Sequence, residues 1–493
     1  MDFSHCKPPI ALNPLDGRYA RYTRPLVNWL SEPALNRERL VVETEWLVYL
    51  TDHAGDLGLD GVEPLSLDEK DYLRSIPRNF GPESVRELYD LEKRTRHDVK
   101  AIEYYCDRRL REAETALGRS TELTRLRPLV HFCCTSEDVN NLAYARCVRG
   151  AVTQIWLPAL DRVIAFLNQA AHDEADVPML AMTHGQPAMP TTLGKEAAVT
   201  AYRLKRQRRR VAGQKYLGKF NGATGVFGVH RVVLPDVDWL AISRDFVENR
   251  MGLSWNPCTT QIESHDWQAE LYGAVSHTNR VCHGLCVDCW MYVSRGVFRQ
   301  IPVPGATGSS TMPHKVNPIS FENAEANFEL SCALFDELSA ALVESRWQRD
   351  LTDSTMLRNI GMAFGYSLLA LTNLLRGMRS IEPDKAFLER ELDAHWEVLG
   401  EPIQTVMRAR SLAGDAGLDR PYERVKDALR GETASRDAIH ALLERFSLPP
   451  TARELLLSLS PRDCTGLASA IARTESQLDW KASPTPSESA GKK

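Results

Sequence analysis

Apolar positions along this chain recur mainly at helical spacing. Leu160, Val163, Ile164 and Leu167 fall at i, i+3, i+4 and i+7, the pattern of one helix face, and Leu334, Phe335, Leu338 and Leu342 likewise share a face. Gln268 to Val297 runs without proline and carries only Gly273, Gly284 and Gly296, which predicts a long helix. Thr191 to Ala212 predicts another after Pro187 and Pro190. Alternating Val/Ile/Thr patterns of strand type are scarce. The expected fold class is all-α, with several helices long enough to build a bundle.

Breaks in the pattern are concentrated in a few places. His184-Gly185-Gln186-Pro187-Ala188-Met189-Pro190 is expected to separate one helix from the next, and Gly218 to Pro235 holds four glycines and a proline. Ile301 to Pro318 is the most conspicuous loop, with prolines at 302, 304, 313 and 318 and glycines at 305 and 308. A loop of that length inside a helical chain is more often functional than idle. From Ser483 the Pro/Ser/Gly/Lys composition predicts a disordered tail.

Composition narrows the classes. At 493 residues, with 43% hydrophobic and 25% charged residues, the chain is an ordinary globular sequence long enough for about three domains. Its net charge of -5 provides no global field for nucleic acid or an anionic membrane, so an anionic ligand would need local arginines. The 11 cysteines show no framework spacing, which suits free thiols in a reducing compartment. The start shows no signal-peptide pattern. The apolar stretch from Met362 to Leu375 is too short to span a bilayer and is broken by Ser367, Thr372 and Asn373. A cytoplasmic protein is the expectation.

Several motifs offer chemistry. Gly308-Ser309-Ser310-Thr311-Met312-Pro313-His314-Lys315-Val316-Asn317-Pro318 combines hydroxyls, glycine-adjacent N–H groups, a cation and an amide, parts suited to a developing carboxylate-type anion. Thr183-His184-Gly185-Gln186-Pro187 places a histidine at a break, where a side chain can point into a cleft. Cys134-Thr135-Ser136-Glu137-Asp138 reads as a helix start, with a capping hydroxyl and acidic first turn. Such an N-terminus also binds anions. Arg96-His97-Asp98 lies in a charged run that by itself reads as a solvated helical face, and Ser345 to Arg358 alone reads as an ion-pair network. Cys286-Val287-Asp288-Cys289 has no second pair at zinc spacing and forms a stripe with Cys282, so a buried helix face is expected rather than a metal site. The basic run 205–210 lies within a long helix and reads as a solvated or interface face. Gly222, Gly225 and Gly228 do not make a dinucleotide fingerprint, and no strand is expected before them.

The 308–318 run resembles the signature loop of the fumarase/aspartase superfamily, whose members eliminate fumarate from substituted succinates. From about Asn13 to near Leu478, the remaining motifs resemble the bacterial-type adenylosuccinate lyase family within it. The resemblance implies three helical domains, 1–124, 125–378 and 379–493, the central one a long bundle. It also implies a homotetramer whose active sites draw on several subunits. The implied substrates are the succinylated nucleotides adenylosuccinate and SAICAR, with no cofactor and no metal.

The same resemblance assigns roles. Ser309 is the general base and His184 the general acid, with Glu322 orienting His184. Lys315 favours the Ser309 alkoxide and contacts substrate together with Ser310, Asn317 and Asn323. Thr135 and Ser136 hold a succinyl carboxylate. His97 lies near the phosphate and supports proton work, with Asp98 and Arg96 beside it. Arg349, Ser354 and Arg358 take the phosphate and neighbouring groups, Arg18 and Tyr19 another part of the nucleotide, and Gln261 a substrate amide. Arginine's fork geometry suits phosphate. Argininosuccinate lyase and aspartase act on substrates without phosphate, so this arginine group argues against them. The retained Ser309, His184, Glu322 and Lys315 argue against a non-catalytic relative.

Overall fold

In the computed structural model, residues 11–302, 305, 311–431 and 433–481 are described; the tail from Ser483 lies outside them. The described chain is predominantly helical. Besides the continuous helical run Ser136–Asp173, its longest helices are Asp266–Arg295, Ile319–Ala341, Glu32–Asp52, Asp98–Leu117, Leu193–Ala212 and Ile360–Arg379. The only sheets among the described residues are three two-stranded pairs. The all-α reading therefore holds, and the periodic segments at 160–167 and 334–342 fall in the helices Leu157–Asp173 and Ile319–Ala341, although Leu342 lies one residue beyond the second.

The chain forms two compact units. The first comprises residues up to Ala159, Arg210–Arg280 and Asn327–Ala370. One of its cores gathers Leu40, Leu47, Val48, Leu73, Leu88, Ile102, Tyr105 and Leu110. Beside it Trp46 meets Phe220 and Phe246 edge-on and donates its indole N–H to the Phe132 carbonyl at 2.9 Å. A buried polar chain threads this unit. The Trp156 indole donates to Ser367 Oγ (2.8 Å), Ser367 to Asn279 Oδ1 (2.7 Å), the Asn279 amide to Ser331 Oγ (3.0 Å), and Ser331 to the Ala363 carbonyl (2.7 Å). Ser367, which interrupts the apolar stretch in the sequence, is thus fully satisfied where it is fully buried.

The second unit comprises Leu160–Arg209, Val281–Ala326 and the chain from Leu371. Leu399, Ile403, Met407, Leu418, Ile439, Leu443 and Leu456 form one of its cores. Gly194 is obligatory at a close approach, because a Cβ there would lie 2.6 Å from the Ala171 carbonyl oxygen. Buried Lys205 donates to the Glu475 carboxylate (2.9 Å) and carbonyl (2.6 Å), tying down the helix Ala468–Gln477. Cys282, Cys286 and Cys289 are buried along their helix as the stripe predicts, and burial pushes the Cys289 thiol up to about 12.

The continuous helical run Ser136–Asp173 is long and apolar enough to cross a bilayer, yet 56% of its most apolar window is buried inside the protein, as in a core helix. Three local expectations change. Residues 178–192 form a hairpin, Pro178–Thr183 paired antiparallel with Gln186–Thr192, where a break between helices was expected, so the following helix begins at Leu193. The Arg96 run is not one helical face but a break between the helices Pro82–Thr95 and Asp98–Leu117. A two-residue strand, Leu217–Gly218, does precede Gly222, pairing parallel with Ser254–Trp255.

Candidate active site

The first unit assembles most of the proposed binding residues. Thr135 caps the helix Ser136–Ala151, with the Asp138 carboxylate reaching back to accept the Thr135 N–H at 2.9 Å. This is the helix start expected from sequence, and it leaves Ser136 and its neighbours at the positive end of the helix dipole. A second helix begins at Asp98, where the His97 ring nitrogen accepts the Lys100 N–H at 3.2 Å as the cap. The chain turns into it through Arg96, whose φ of 53° lies in the left-handed region.

An unbroken polar network links these two helix starts to the arginines. Arg349 Nη1 lies 2.8 Å from Glu137, and Glu137 accepts from Asn140 at 2.7 Å. Asn140 in turn accepts from Arg39 Nε at 2.9 Å, and Arg39 Nη2 donates to Asp98 at 2.7 Å. Arg358 reaches the same Asp98 oxygen at 3.4 Å and donates to Ser354 Oγ at 2.7 Å. From Arg349 the network also runs to Asp353, 3.8 Å away, and from there to His265 at 3.4 Å. Burial pushes the Asp98 carboxyl up, but the Arg39 charge, the Val99 N–H, the Arg39 hydrogen bond and Arg358 together hold it below the usual carboxylate range.

Arg358 opens onto a cavity of about 230 Å³ that Asn13, Asp16 and Met362 also line. The Arg18 guanidinium lies 5.9 Å from the Tyr19 ring, at the start of the helix Ala20–Leu30. Gln261 donates to the Ala223 carbonyl at 2.8 Å. A larger, mainly apolar cavity of about 370 Å³ lies in the second unit, walled by Leu193, Tyr292, Phe298 and Met378; Asp288 and Cys289 line it, but none of the residues proposed for catalysis or substrate binding does, and size alone does not mark the site.

In the second unit His184 and Gly185 are the two turn residues of the hairpin, since Thr183 pairs with Gln186. Their φ values are 55° and 72°. Both central residues of a type I′ turn need positive φ, and histidine tolerates this better than most side chains do. The turn carries His184, which is exposed, at its tip. Glu322, in the first turn of Ile319–Ala341, accepts the Trp290 indole N–H at 3.1 Å. No hydrogen bond joins it to His184 among the described residues. The Asn373 amide donates to Asn323 Oδ1 at 2.8 Å. Lys315 and Asn317 lie in the loop before that helix, with the Lys315 N–H bonded to the Met312 carbonyl at 3.1 Å. Ser309 and Ser310 lie outside the described residues, and the described parts of the 301–318 loop hold neither helix nor strand.

Sequence reasoning missed Arg39, Glu137, Asp353 and His265. The available signal was the helix Glu32–Asp52, where Glu38, Arg39 and Glu43 sit among Leu35, Leu40, Val42, Trp46 and Leu47 with no polar face to hold them. Charges interleaved with apolar residues so that no separate polar face forms are drawn into burial, where they must be paired. Positive φ at Arg96, Cys133, His184 and Trp347, each in or beside a motif, marks the same segments from the backbone side.

Residues 17–328 match the lyase family, and residues 345–465 match the adenylosuccinate lyase C-terminal family. The chain is 41% identical to an adenylosuccinate lyase of Vibrio cholerae over 93% of its own length and 97% of that protein's. It is 40% identical to one of Escherichia coli over the same shares. Among solved structures it resembles a fumarate lyase from Mesorhizobium sp. BNC1 (TM-score 0.68, 16% identity, covering 92% of this chain and 97% of that one). It also resembles a 3-carboxy-cis,cis-muconate lactonizing enzyme from Pseudomonas putida (TM-score 0.68, 18% identity, covering 94% and 99%). At those identities the structures share the fold alone, whereas the sequence relatives share the family over nearly their whole length: the chain belongs to the adenylosuccinate lyase family of the fumarase/aspartase superfamily.

Proposed function

We propose that the protein eliminates fumarate from adenylosuccinate to give AMP, and from SAICAR to give AICAR. The observation that carries this reading is the convergence in one unit of two helix N-termini, His97–Asp98 and Thr135–Ser136, with Arg349 and Arg358 on one polar network. A substrate bearing a phosphate at one end and carboxylates at the other matches that pairing of anion-binding elements.

In this reading Ser309 removes the proton from the carbon beside a succinyl carboxylate. The electron pair moves onto that carboxylate, and Ser310, Lys315 and the neighbouring backbone N–H groups stabilise the doubly charged intermediate. The pair then forms the carbon–carbon double bond as the carbon–nitrogen bond breaks, and His184 delivers a proton to the departing nitrogen. Thr135 and Ser136 hold a carboxylate, and Asn317 and Asn323 complete that end. Arg349, Ser354, Arg358, Arg18, Tyr19, Arg96, His97 and Asp98 surround the phosphate end, and Gln261 takes a substrate amide. No step transfers electrons to an acceptor, so the scheme uses no cofactor.

Glu322 orients His184, in a homotetramer with shared sites. Three helical domains divide near residues 124 and 378; the core at 396–456 falls inside the last of them, and the core at 40–126 runs just past the first boundary at Leu126. A cytoplasmic location accords with the free thiols of the ten described cysteines.

The test is the ultraviolet absorbance change on mixing the purified protein with adenylosuccinate, with Ser309→Ala as control and argininosuccinate and aspartate assayed for product in parallel. The wild type is expected to release AMP and fumarate, and the variant to be slower by orders of magnitude in an intact assembly. Reaction with a parallel substrate alone would overturn the nucleotide assignment, and no reaction with any of them would overturn the enzymatic one.

A further inference from the structure

The buried pair Asp138–Lys219 does more than cap a helix. Both side chains are completely buried, with Lys219 Nζ 2.9 Å from Asp138 Oδ1. Asp138 also accepts the N–H groups of Thr135 (2.9 Å), Asn221 (2.9 Å) and Gly222 (3.1 Å), while Lys219 Nζ donates to the Gly222 carbonyl at 2.9 Å. One helical turn on, Asn141 grips the Lys219 peptide from both sides: its Oδ1 accepts the N–H at 2.8 Å, and its amide donates to the carbonyl at 3.0 Å. The loop held in this way continues the contact outward. The Asn221 amide donates to Thr259 Oγ1 at 2.9 Å, and the Ala223 carbonyl accepts from Gln261.

Capping needs only a carboxylate at the third helical position, and such carboxylates are ordinarily hydrated. Burying a full ion pair is a poor route to stability, because an apolar pair of similar volume is often as stable or more so. What the pair provides is geometry, since one carboxylate simultaneously fixes the first peptide of the Thr135–Ser136 segment and the backbone of the 221–223 loop. We infer that Asp138 and Lys219 are positioning residues that set the carboxylate-binding helix start in register with the loop bearing against Gln261. This deepens the proposed function and rests on its assignment of Thr135 and Ser136 to a substrate carboxylate.

The experiment uses the full-length double variant Asp138→Asn/Lys219→Met, which leaves no unpaired buried charge, and Lys219→Met alone as a second variant. Inhibition constants are measured for the two products, fumarate as the probe of the carboxylate end and AMP as the probe of the phosphate end, with circular dichroism and gel filtration on each protein. Loss of one well-oriented hydrogen bond to a carboxylate predicts a rise of about tenfold in the fumarate constant, with the AMP constant within about twofold of wild type. A general structural lesion would raise both constants together, and that outcome overturns the inference, as does an unchanged fumarate constant in whichever variant folds. Thr135→Ala and Ser136→Ala are run alongside. If they move the fumarate constant and the Asp138 and Lys219 variants do not, the positioning role alone fails; if they leave it unmoved, the carboxylate assignment fails with it.

Discussion

Replacing Arg39 by methionine tests the network at its most buried joint. The Arg39 side chain is 2% exposed and spends all three guanidinium nitrogens on named partners: Asp98 at 2.7 Å, Asn140 at 2.9 Å and Asn36 at 2.8 Å. Methionine keeps most of the apolar stem but removes every one of these bonds. A hydrogen bond to a charged group contributes roughly 1.5–3 kcal/mol and a neutral one about 1 kcal/mol, so a loss of about 3 kcal/mol at neutral pH is expected after partial relaxation.

The loss carries a pH signature. Asp98 is held below its ordinary value chiefly because Arg39 outweighs burial, so in the wild type its contribution is present above the unfolded-state value and lost as pH falls through the lower folded value. In Arg39→Met, burial is opposed only by the Val99 N–H and Arg358, the carboxyl moves up, and the variant gives up the benefit of ionisation at a higher pH. The stability gap between the two proteins is therefore widest at neutral pH and narrows as the pH enters the carboxylate range. Urea unfolding followed by tryptophan fluorescence, at pH near 7 and at two or three lower values, measures it. A gap under about 1 kcal/mol at neutral pH, or one that stays constant into acid, would refute the reasoning, because paired buried charges cannot be removed without both effects.

The other predictions are shorter. His184→Asn keeps a residue that tolerates the left-handed turn, so the fold should survive while turnover falls by about 10²–10⁴, the usual worth of a general acid; steady-state kinetics and circular dichroism check it. Arg349→Ala should raise the apparent KM for adenylosuccinate by about tenfold or more with a smaller change in kcat, and an unchanged KM would remove Arg349 from the phosphate end. Gly225→Ala places a Cβ on the Thr259 carbonyl oxygen at a φ of 77°, so the loop must shift; a melting temperature lower by several degrees together with weaker substrate binding is expected. Lys205→Met leaves Glu475 without its buried partner and should make the chain beyond Arg209 more susceptible to limited proteolysis near the helix Ala468–Gln477, read by mass spectrometry.

The helices were legible where one periodicity ran unopposed. Gln268 to Val297 lacks proline, and its observed helix, Asp266–Arg295, ends just before Gly296 at a φ of 93°. The start at Thr135–Ser136 was legible because capping is local chemistry. The hairpin at 178–192 was not. Its second strand carries Pro187 and Pro190, its first has no alternation of β-branched residues, and an isolated two-stranded pair tolerates prolines because each strand has a free edge. The readable trace was His184-Gly185 itself, two residues that accept positive φ in succession. The polar network was invisible for a different reason. Arg39, Asp98, Asn140, Glu137 and Arg349 are drawn from four distant segments, and Arg39 in sequence reads as solvated until its helix proves to be buried along most of its length.

That network also changes how the proposed phosphate end works. The chain's net charge is negative, and the arginines offered for anion binding are not bare: Arg349 faces Glu137, and Arg358 faces Asp98 and, at 3.9 Å, Glu32. A phosphate arriving there exchanges with a carboxylate instead of meeting an unpaired cation, so its net gain is the difference between two ion pairs. The displaced carboxylates need not be stranded. Asp98 keeps Arg39 and the Val99 N–H, and Glu137 keeps the Asn140 amide. Arg39, which is buried, and Asn140 thus let the two arginines change allegiance without leaving an unpaired acid behind. This explains why a buried arginine that need never touch substrate stands at the centre of the proposed binding residues.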